Sequence, residues 1–290
     1  MSELFDADFF EKLNHLKLAA HIRVEQGQSG GRKSSAKGSS VEFSDFREYL
    51  PGDDIRRIDW NVYGRLDKLY IKQFMEEKEV KYHIFLDASG SMEYGEQKKS
   101  VMAQRLAAVF VWLVLGQLDR VEVSTFQEGR LARTGPIVGR GSFQKFLREL
   151  EQIAFGKTAC INEAIRRSSL NGKGICILIS DFLETAGLED AIRYLAYKRQ
   201  EVYLIQVLAR EELDFDEEGT LELLDMEDGK SVRVTMSRQS IRMYKETLDE
   251  HNFRLQRMAR RYGCVWQQVA ADEDLEKIVF EVLKKKGLFG

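Results

Sequence analysis

The 290-residue sequence predicts an α/β fold with a doubly wound, mostly parallel sheet that is covered by helices on both faces. Near-continuous apolar segments alternate along the chain with segments whose apolar residues recur at helical spacing. Strands of a parallel sheet are buried on both faces, so they are expected to be apolar throughout. Residues 80–86 and 174–180 are the clearest examples. With 43% hydrophobic residues, the chain can bury a substantial core.

The predicted core domain spans residues 80–290. Its strands are predicted at 80–86, 120–126, 174–180, 201–208 and 264–270, and its helices at 98–117, 141–153, 161–168, 187–198, 238–261 and 273–286. A short hairpin is predicted at 130–138. A second hairpin, inserted at 220–235, is predicted to turn at Asp228–Gly229, a pair that favours tight turns.

The most apolar segment is 106–116, and it lies within the first predicted core helix. Its 11 residues are fewer than the ~20 that a membrane span requires. We therefore expect a helix that is buried nearly all round, and no membrane span.

Residues 1–79 are predicted to be an N-terminal extension that packs on the core. It opens with an amphipathic helix at 8–22. The Gly/Ser-rich, basic segment 27–40 that follows is expected to be a mobile surface loop, with a phosphate-gripping or partner-gripping loop as the alternative. Residues 41–60 mix opposite charges with aromatic residues around a Pro51–Gly52 turn, which predicts a salt-bridged collar. The strand at 69–75 is expected to pair antiparallel.

Composition excludes several classes of function. A net charge of −3 offers no global attraction for nucleic acid or for an anionic membrane. Cys160, Cys176 and Cys264 lie far apart, as in a reduced cytosolic protein. The acidic first residues lack the positive flank and apolar stretch of a secretory signal, so a cytoplasmic location is expected.

Residues 211–228 hold ten acidic residues and no basic residue. This composition predicts a solvated loop and an exposed hairpin face. A docking surface for a basic partner is the alternative interpretation. The spacing of the acids does not fit an EF-hand loop, which disfavours calcium.

The first core strand runs into the loop Asp87-Ala-Ser89-Gly-Ser91. Two hydroxyls and a carboxylate, spaced two apart on a turning backbone, can converge on a small hard cation such as Mg²⁺. Open α/β sheets bind ligands at the carboxyl ends of their strands, so neighbouring loops should supply further oxygens. Thr158, before the helix at 161–168, and Asp181, after the strand at 174–180, are the candidates. The sequence therefore predicts a metal site from these five residues.

The order Asp-x-Ser-x-Ser, then Thr, then a strand-terminal Asp resembles the metal-ion-dependent adhesion site of von Willebrand factor A domains. Residues 42–60 add a second resemblance: Glu-Phe-Ser-Asp-Phe-Arg-Glu-Tyr-Leu-Pro-Gly-Asp-Asp-Ile-Arg-Arg-Ile-Asp-Trp is similar to the signature of the bacterial domain-of-unknown-function fifty-eight family. The core of that family is similar to the A domain. The resemblance covers the chain from about residue 20 onward.

The resemblance implies that Ser89, Ser91 and Thr158 offer direct or near-direct oxygens to Mg²⁺ or Mn²⁺, with Asp87 and Asp181 contributing directly or through water. A remaining coordination position would then receive an Asp or Glu of a protein partner. The resemblance further implies that the partner is a MoxR-type AAA+ ATPase, acting in assembly, activation or remodelling of other proteins. The Thr158 loop departs from the family pattern Gly-Gly-Thr-Asp-Leu, because it carries a lysine before the threonine and is one residue longer.

Enzyme motifs are not found. A phosphate-binding P-loop ending at 156–158 would need glycine at position 151, where Glu151 stands, and a serine-hydrolase elbow would need glycine in place of Asp87. The four histidines are not spaced for zinc or for a Ser/His pair. We therefore predict a non-enzymatic, metal-dependent protein-binding module. The competing hypothesis is a Mg²⁺-dependent hydrolase of phosphate esters using Arg32 or Lys157, which the lack of a general base disfavours.

Overall fold

The computed structural model describes residues 7–16, 18, 41–76, 80–127, 130–156, 161–224, 230–285 and 288. The chain divides into two compact units, one of residues 1–23 and 80–290 and the other of residues 24–79. The predicted division placed the whole of residues 1–79 in an extension. Residues 1–23, with the N-terminal helix, instead group with the larger unit.

The larger unit alternates strands and helices along most of its length. Its helices are α1 (Ala7–Leu13), α3 (Lys99–Gly116), α4 (Phe143–Glu151), α5 (Ile161–Arg167), α6 (Leu188–Tyr197), α7 (Arg210–Leu213), α8 (Arg238–Arg261) and α9 (Leu275–Lys277), which continues as a π-helix over Ile278–Leu283. Its strands are β3 (Lys81–Asp87), β4 (Arg120–Gln127), β5 (Arg130–Arg133), β6 (Ile137–Val138), β7 (Gly174–Ser180), β8 (Gln200–Leu208), β9 (Gly219–Leu224), β10 (Ser231–Met236) and β11 (Val265–Ala270).

The main sheet has the strand order β11-β8-β7-β3-β4-β5. The first five of these strands pair in parallel, whereas β5 and β6 both pair antiparallel with β4. The predicted mostly parallel α/β fold is confirmed. The predicted hairpin at 130–138 is wrong in its pairing, because β5 and β6 lie along different parts of β4 and not along each other. Residues 128 and 129 lie outside the described part of the chain.

Helices cover both faces of this sheet, as a doubly wound fold requires. The side chains of β7 show the alternation: Ile175, Ile177 and Ile179 point into one apolar core, and Cys176 and Leu178 into the other. The first core packs against α1, α3, α4 and the C-terminal helical segment, and the second against α5, α6 and α8.

Helix α3 lies in the middle of the first core. Its residues 106–111 and 113–115 are almost fully buried, so the helix predicted to be buried nearly all round is confirmed. Among the described residues it is the one helix long and apolar enough to cross a membrane, and 78% of it is buried inside the protein. A core helix of a globular domain has the same length and composition.

The N-terminal helix is shorter than predicted. It was expected over residues 8–22 but ends at Leu13, where the amides of Asn14 and Leu16 bond to carbonyls three residues earlier. Such bonds tighten the last turn, and asparagine favours a helix weakly. The apolar face of the helix is used as expected, because the ring of Phe10 lies 4.9 Å from that of Trp112. Residues 17 and 19–22 lie outside the described part.

The inserted hairpin forms as predicted, with β9 and β10 antiparallel in a separate two-stranded sheet. Its predicted turn at Asp228–Gly229 lies outside the described residues. Helix α8 follows it over the predicted 238–261, with the Ser237 hydroxyl accepting from the Ser240 amide at its start.

The smaller unit contains β1 (Val41–Glu48), α2 (Trp60–Leu66) and β2 (Tyr70–Glu76), and the two strands pair antiparallel. The predicted turn is present, because the Asp53 amide bonds to the Leu50 carbonyl and Gly52 has φ +107°, which favours glycine. The salt-bridged character is also present, since Arg47 lies 2.8 Å from Asp53. The Gly/Ser-rich segment 27–40 lies outside the described residues.

Candidate functional site

The candidate site lies where the chain order of the sheet reverses. The chain proceeds from β3 to β4 on one side of β3, and later returns to place β7 on its other side. In open α/β sheets, ligands bind beyond the carboxyl ends of the strands at such a switch point. Asp87 ends β3, and Asp181 directly follows β7. The fold therefore brings the two predicted carboxylates to the same edge of the sheet.

The loop after β3 is folded back on its own carboxylate. Asp87 Oδ1 accepts a hydrogen bond from the Ser89 amide at 2.9 Å, and a 3₁₀ turn over Gly90–Glu93 follows. Asp87 Oδ2 accepts from the Ser180 hydroxyl of β7 at 2.5 Å. These bonds fix the Asp87 carboxylate between two strands while leaving its charge uncompensated by any direct cationic contact among the described residues.

The two serine hydroxyls of this loop converge as predicted. Ser89 Oγ and Ser91 Oγ lie 3.0 Å apart, and Ser89 is buried while Ser91 is partly buried. Two neighbouring ligands of an octahedral Mg²⁺ with bonds of 2.0–2.1 Å lie about 2.9 Å apart. The hydroxyl spacing therefore fits adjacent positions on one small hard cation, and the donor set of hydroxyls and a carboxylate fits the same ion.

The loop after β7 is held tightly from several directions. Phe182 adopts a left-handed backbone conformation, φ +51°, which is strained for an aromatic residue. Its amide donates to Ser180 Oγ at 3.0 Å, and its carbonyl lies 2.8 Å from the His251 ring nitrogen of α8. Gln206 donates to the Asp181 carbonyl at 3.0 Å. This support fixes the direction in which the Asp181 side chain points.

The Asp181 carboxylate meets a lysine that the sequence analysis did not single out. Lys99 Nζ lies 2.8 Å from Asp181 Oδ2 and 2.7 Å from an oxygen of Glu212, and the lysine side chain is fully buried. The other Asp181 oxygen accepts from the Leu183 amide at 3.1 Å. A signal for Lys99 was present, since it lies in phase with the buried Met102 and other apolar residues of α3 at helical spacing.

Glu212 is an inward-facing member of the acidic segment. Its side chain is only 12% exposed, and its second oxygen accepts from the Ala209 amide at 2.8 Å. The Tyr244 hydroxyl of α8 donates to the Glu212 carbonyl at 2.9 Å. The prediction of a solvated segment therefore holds for most of the described residues from 213 to 222, which are exposed or partly exposed, but fails for Glu212.

The pKa values of Asp87 and Lys99 are both raised, but for different reasons. Burial raises the pKa of Asp87, and the nearby charge of Asp181 raises it further, against the lowering effect of the hydrogen bonds from Ser180 and Ser89. Burial alone would lower the pKa of Lys99, but Asp181 and Glu212 outweigh it and hold that pKa above its ordinary value. The site therefore holds negative charge that one ammonium group does not neutralise.

Thr158, the predicted third hydroxyl, lies outside the described residues, as does Lys157. The flanking residues approach the site, since the Gly156 amide bonds to the Ala88 carbonyl at 3.1 Å. In the described part of the chain, no three His, Cys, Asp or Glu side chains form a metal-binding group. A metal held by the described residues would therefore rely on the serine hydroxyls together with Asp87.

The histidines take no part in a catalytic pair among the described residues. His83 is buried within β3, and burial lowers its pKa to about 4, so it stays neutral at physiological pH. Cys176 is buried in the second core, where burial raises the pKa of its thiol. It packs as an apolar residue.

The chain is similar in part to several known proteins. An uncharacterized protein, Rv1480 of Mycobacterium tuberculosis (strain ATCC 25618 / H37Rv), is 26% identical over 235 residues, covering 78% of this chain and 74% of its own length. The crystal structure of the conserved hypothetical protein BatB from Bacteroides thetaiotaomicron is 19% identical, covers 71% of this chain and 98% of its own, and has a TM-score of 0.46. The crystal structure of the SpRpn10 VWA domain is 8% identical to this chain and has a TM-score of 0.38. The match covers 68% of this chain and 92% of that domain.

A family model matches residues 45–253, which is more than half of the chain. Its match includes most of the 42–60 signature, the Asp87–Ser91 loop and Asp181. The chain belongs to the family described as Protein of unknown function DUF58.

Proposed function

We propose that this chain is a metal-dependent protein-binding module, in which Asp87, Ser89 and Ser91 hold Mg²⁺ or Mn²⁺ and a protein partner supplies an Asp or Glu carboxylate. The observation that supports this best is the pair of serine hydroxyls 3.0 Å apart, beside a carboxylate without a direct cationic partner in the described structure. When bound, the ion supplies a coordination position that the protein itself leaves free.

Each residue of the site has a distinct role in this proposal. Ser89 and Ser91 present their hydroxyl oxygens, and Ser180 keeps the Asp87 carboxylate in place. Asp181 contributes charge at the edge of the site, because one of its oxygens is occupied by Lys99. A partner carboxylate gains from a directional bond to the ion in a partly buried setting, where electrostatic interactions are stronger than in water.

Apolar side chains beside the two loops offer contacts that a partner can cover. Tyr94 follows the 3₁₀ turn and is 40% exposed, and Leu183 follows Asp181 and is 42% exposed. A tyrosine with an exposed ring is a frequent contact residue of protein interfaces. The combination of a central polar bond and flanking apolar contacts supports a protein partner.

The proposal assigns no reaction to the site. The Asp87 carboxylate already accepts two hydrogen bonds, and Lys99 is held by two carboxylates. A general base must be within hydrogen-bond reach of the proton that it removes. Hydrolysis of phosphate esters therefore has no support from the described residues beyond the candidate metal itself.

We further propose that the partner is a MoxR-type AAA+ ATPase and that the module acts in the cytoplasm. Family resemblance supports the partner, and the wide spacing of the three cysteines, as in a reduced cytosolic protein, supports the location. The geometry supports a carboxylate-bearing protein partner in general.

The test begins with calorimetric titration of Mg²⁺ and Mn²⁺ into the wild type and Asp87→Ala. We expect binding to the wild type and none to the variant. Asp190→Ala is the matched control, because Asp190 is a surface acid paired with Arg193 and should leave metal binding unchanged. No metal binding to the wild type would refute the proposal.

Capture of a purified MoxR-type ATPase then tests the partner. The immobilised wild type should retain the ATPase in Mg²⁺ and release it when a chelator is added, and Asp87→Ala should not retain it. Retention that survives the chelator would show a contact that does not depend on metal. Turnover of a generic phosphate ester that is lost in Asp87→Ala would favour the hydrolase.

A further inference from the structure

Lys99 is an unusual residue to bury at this position. It is the first residue of α3, where the helix dipole disfavours a positive charge, and its side chain has no exposure to solvent. Two carboxylates hold it, Asp181 at 2.8 Å and Glu212 at 2.7 Å. The ammonium of Lys99 therefore acts on these two carboxylates and, through Asp181, on the site beside them.

A count of charges shows what Lys99 changes. With all three carboxylates ionised, Asp87, Asp181 and Glu212 contribute three negative charges and Lys99 one positive charge, so the group carries a net charge of −2. A divalent cation would bring the sum to zero. Without the charge of Lys99 the group carries −3, and without that of Glu212 it carries −1. In a partly buried site, each unit charge changes the binding energy of an ion strongly.

We propose that Lys99 and Glu212 set the divalent-cation affinity of the site in opposite directions without contacting the ion. Lys99 weakens binding because it neutralises part of the charge of Asp181, and Glu212 strengthens binding because it neutralises part of the charge of Lys99. This inference rests on the proposed metal-binding function. It makes Lys99 the residue that keeps the metal exchangeable.

Lys99 and Glu212 also connect the site to neighbouring elements of the fold. Glu212 lies in α7, at the start of the acidic segment, and its backbone carbonyl accepts from Tyr244 of α8. Asp181 lies at the end of β7. The ammonium of Lys99 therefore joins three elements that are distant in sequence, and its charge acts on the site through Asp181.

The experiment is calorimetric titration of Mg²⁺, repeated with Mn²⁺, into five proteins: wild type, Lys99→Met, Glu212→Gln, the double variant, and the control Lys98→Met. Lys98 is the matched control because it pairs with Glu93 at the surface and is 54% exposed. We expect Kd to fall about tenfold or more in Lys99→Met and to rise about tenfold in Glu212→Gln. The double variant restores the net charge of −2 and should return Kd to within about threefold of the wild type.

The opposite signs separate this role from a purely structural ion pair. If Lys99 only stabilises the fold, Lys99→Met melts earlier but its Kd for Mg²⁺ is unchanged or higher, and either result overturns the inference. Should Lys99→Met fail to fold, an unchanged Kd in Glu212→Gln overturns it, and a raised Kd there, with Lys98→Met unaffected, supports it. Absence of metal binding to the wild type refutes the proposed function as well, whereas equal affinities in all five proteins refute this inference alone.

Discussion

The loops after β3 and β7 both start at an aspartate but differ in charge. Each follows a buried apolar strand and contains an aspartate at the same edge of the sheet. The Asp87 carboxylate accepts from neutral donors, the Ser89 amide and the Ser180 hydroxyl, whereas the Asp181 carboxylate accepts from the ammonium of Lys99. Among the described residues, Asp87 therefore has no direct cationic contact, whereas Asp181 shares the ammonium of Lys99 with Glu212.

This difference indicates which loop attracts a cation. Burial and the charge of Asp181 raise the pKa of Asp87, so its ionised form is held at a cost in free energy. A divalent ion would relieve that cost. Asp181 is already paired with Lys99, which also pairs with Glu212. Asp181 therefore offers a metal ion only the part of its negative charge that Lys99 does not neutralise.

The largest expected effect comes from removing the cation of the second loop. Lys99→Met leaves Asp181 and Glu212 buried without their partner, which should lower the free energy of unfolding of the metal-free protein by about 3–5 kcal/mol. Urea denaturation in the presence of a chelator measures it. The surface neighbour Lys98→Met should lose less than about 1 kcal/mol. Equal losses of unfolding free energy in Lys99→Met and Lys98→Met would show that the buried ion pair stabilises the fold no more than the surface pair does.

Removing the link between the loops should have an intermediate effect. Ser180 donates to Asp87 and accepts from the Phe182 amide, so Ser180→Ala loses both bonds. We expect the free energy of unfolding to fall by about 1–2 kcal/mol, with weaker Mg²⁺ binding because the Asp87 carboxylate is less well placed. Urea denaturation and calorimetry check the two parts. A variant with unchanged stability and affinity would show that the Ser180 bond does not position Asp87.

A smaller effect of opposite sign is expected at the first loop. Because the folded-state pKa of Asp87 is raised above its unfolded value, its ionised carboxylate costs stability at neutral pH. Asp87→Asn should therefore stabilise the metal-free protein by about 1 kcal/mol or less, while abolishing the rise in melting temperature on addition of Mg²⁺. Thermal unfolding with chelator and with Mg²⁺ gives both quantities. A metal-dependent shift that persists in the variant would contradict the role of Asp87.

The smallest effect concerns pH. A proton on Asp87 competes with the metal, and the raised pKa of Asp87 extends this competition toward higher pH than for an ordinary aspartate. The negative charge of Asp181 favours protonation of Asp87. The positive charge of Lys99, which is paired with Asp181, opposes it. Affinity for Mg²⁺ should therefore decrease as the pH is lowered from about 7.5 to about 5.5. Titrations at the two values measure this decrease, and an affinity that rises on acidification would contradict it.

Sequence patterns predicted the parts of the molecule that depend on local periodicity. The apolar strands β3, β7 and β8 and the buried helix α3 follow from continuous or helical spacing of apolar residues, and all four formed where expected. The N-terminal helix was predicted too long, because the apolar spacing continues after the backbone has left the helix at Asn14. Pairing of β5 and β6 with β4 depends on chain geometry that spacing does not encode.

The candidate site was predicted best where its residues are close together in the sequence. Asp87, Ser89 and Ser91 are neighbours in sequence, so their convergence could be expected from one loop. Lys99 and Glu212 come from separate elements and meet only in the folded structure. The sequence does indicate Lys99, because it recurs at helical spacing with the apolar residues of α3. It does not distinguish Glu212 from the other acidic residues of its segment.

The most direct test of the central claim is the anomalous difference map of crystals grown with Mn²⁺. The anomalous peak of Mn²⁺ should lie within coordination distance, about 2.1–2.3 Å, of both Ser89 Oγ and Ser91 Oγ. Lys99 should still be hydrogen-bonded to Asp181 in the same crystals. A peak bonded to Asp181 in place of Lys99 would contradict the division of roles between the two loops. Full occupancy by Mn²⁺ elsewhere, with no peak at the serines, would contradict the metal site itself.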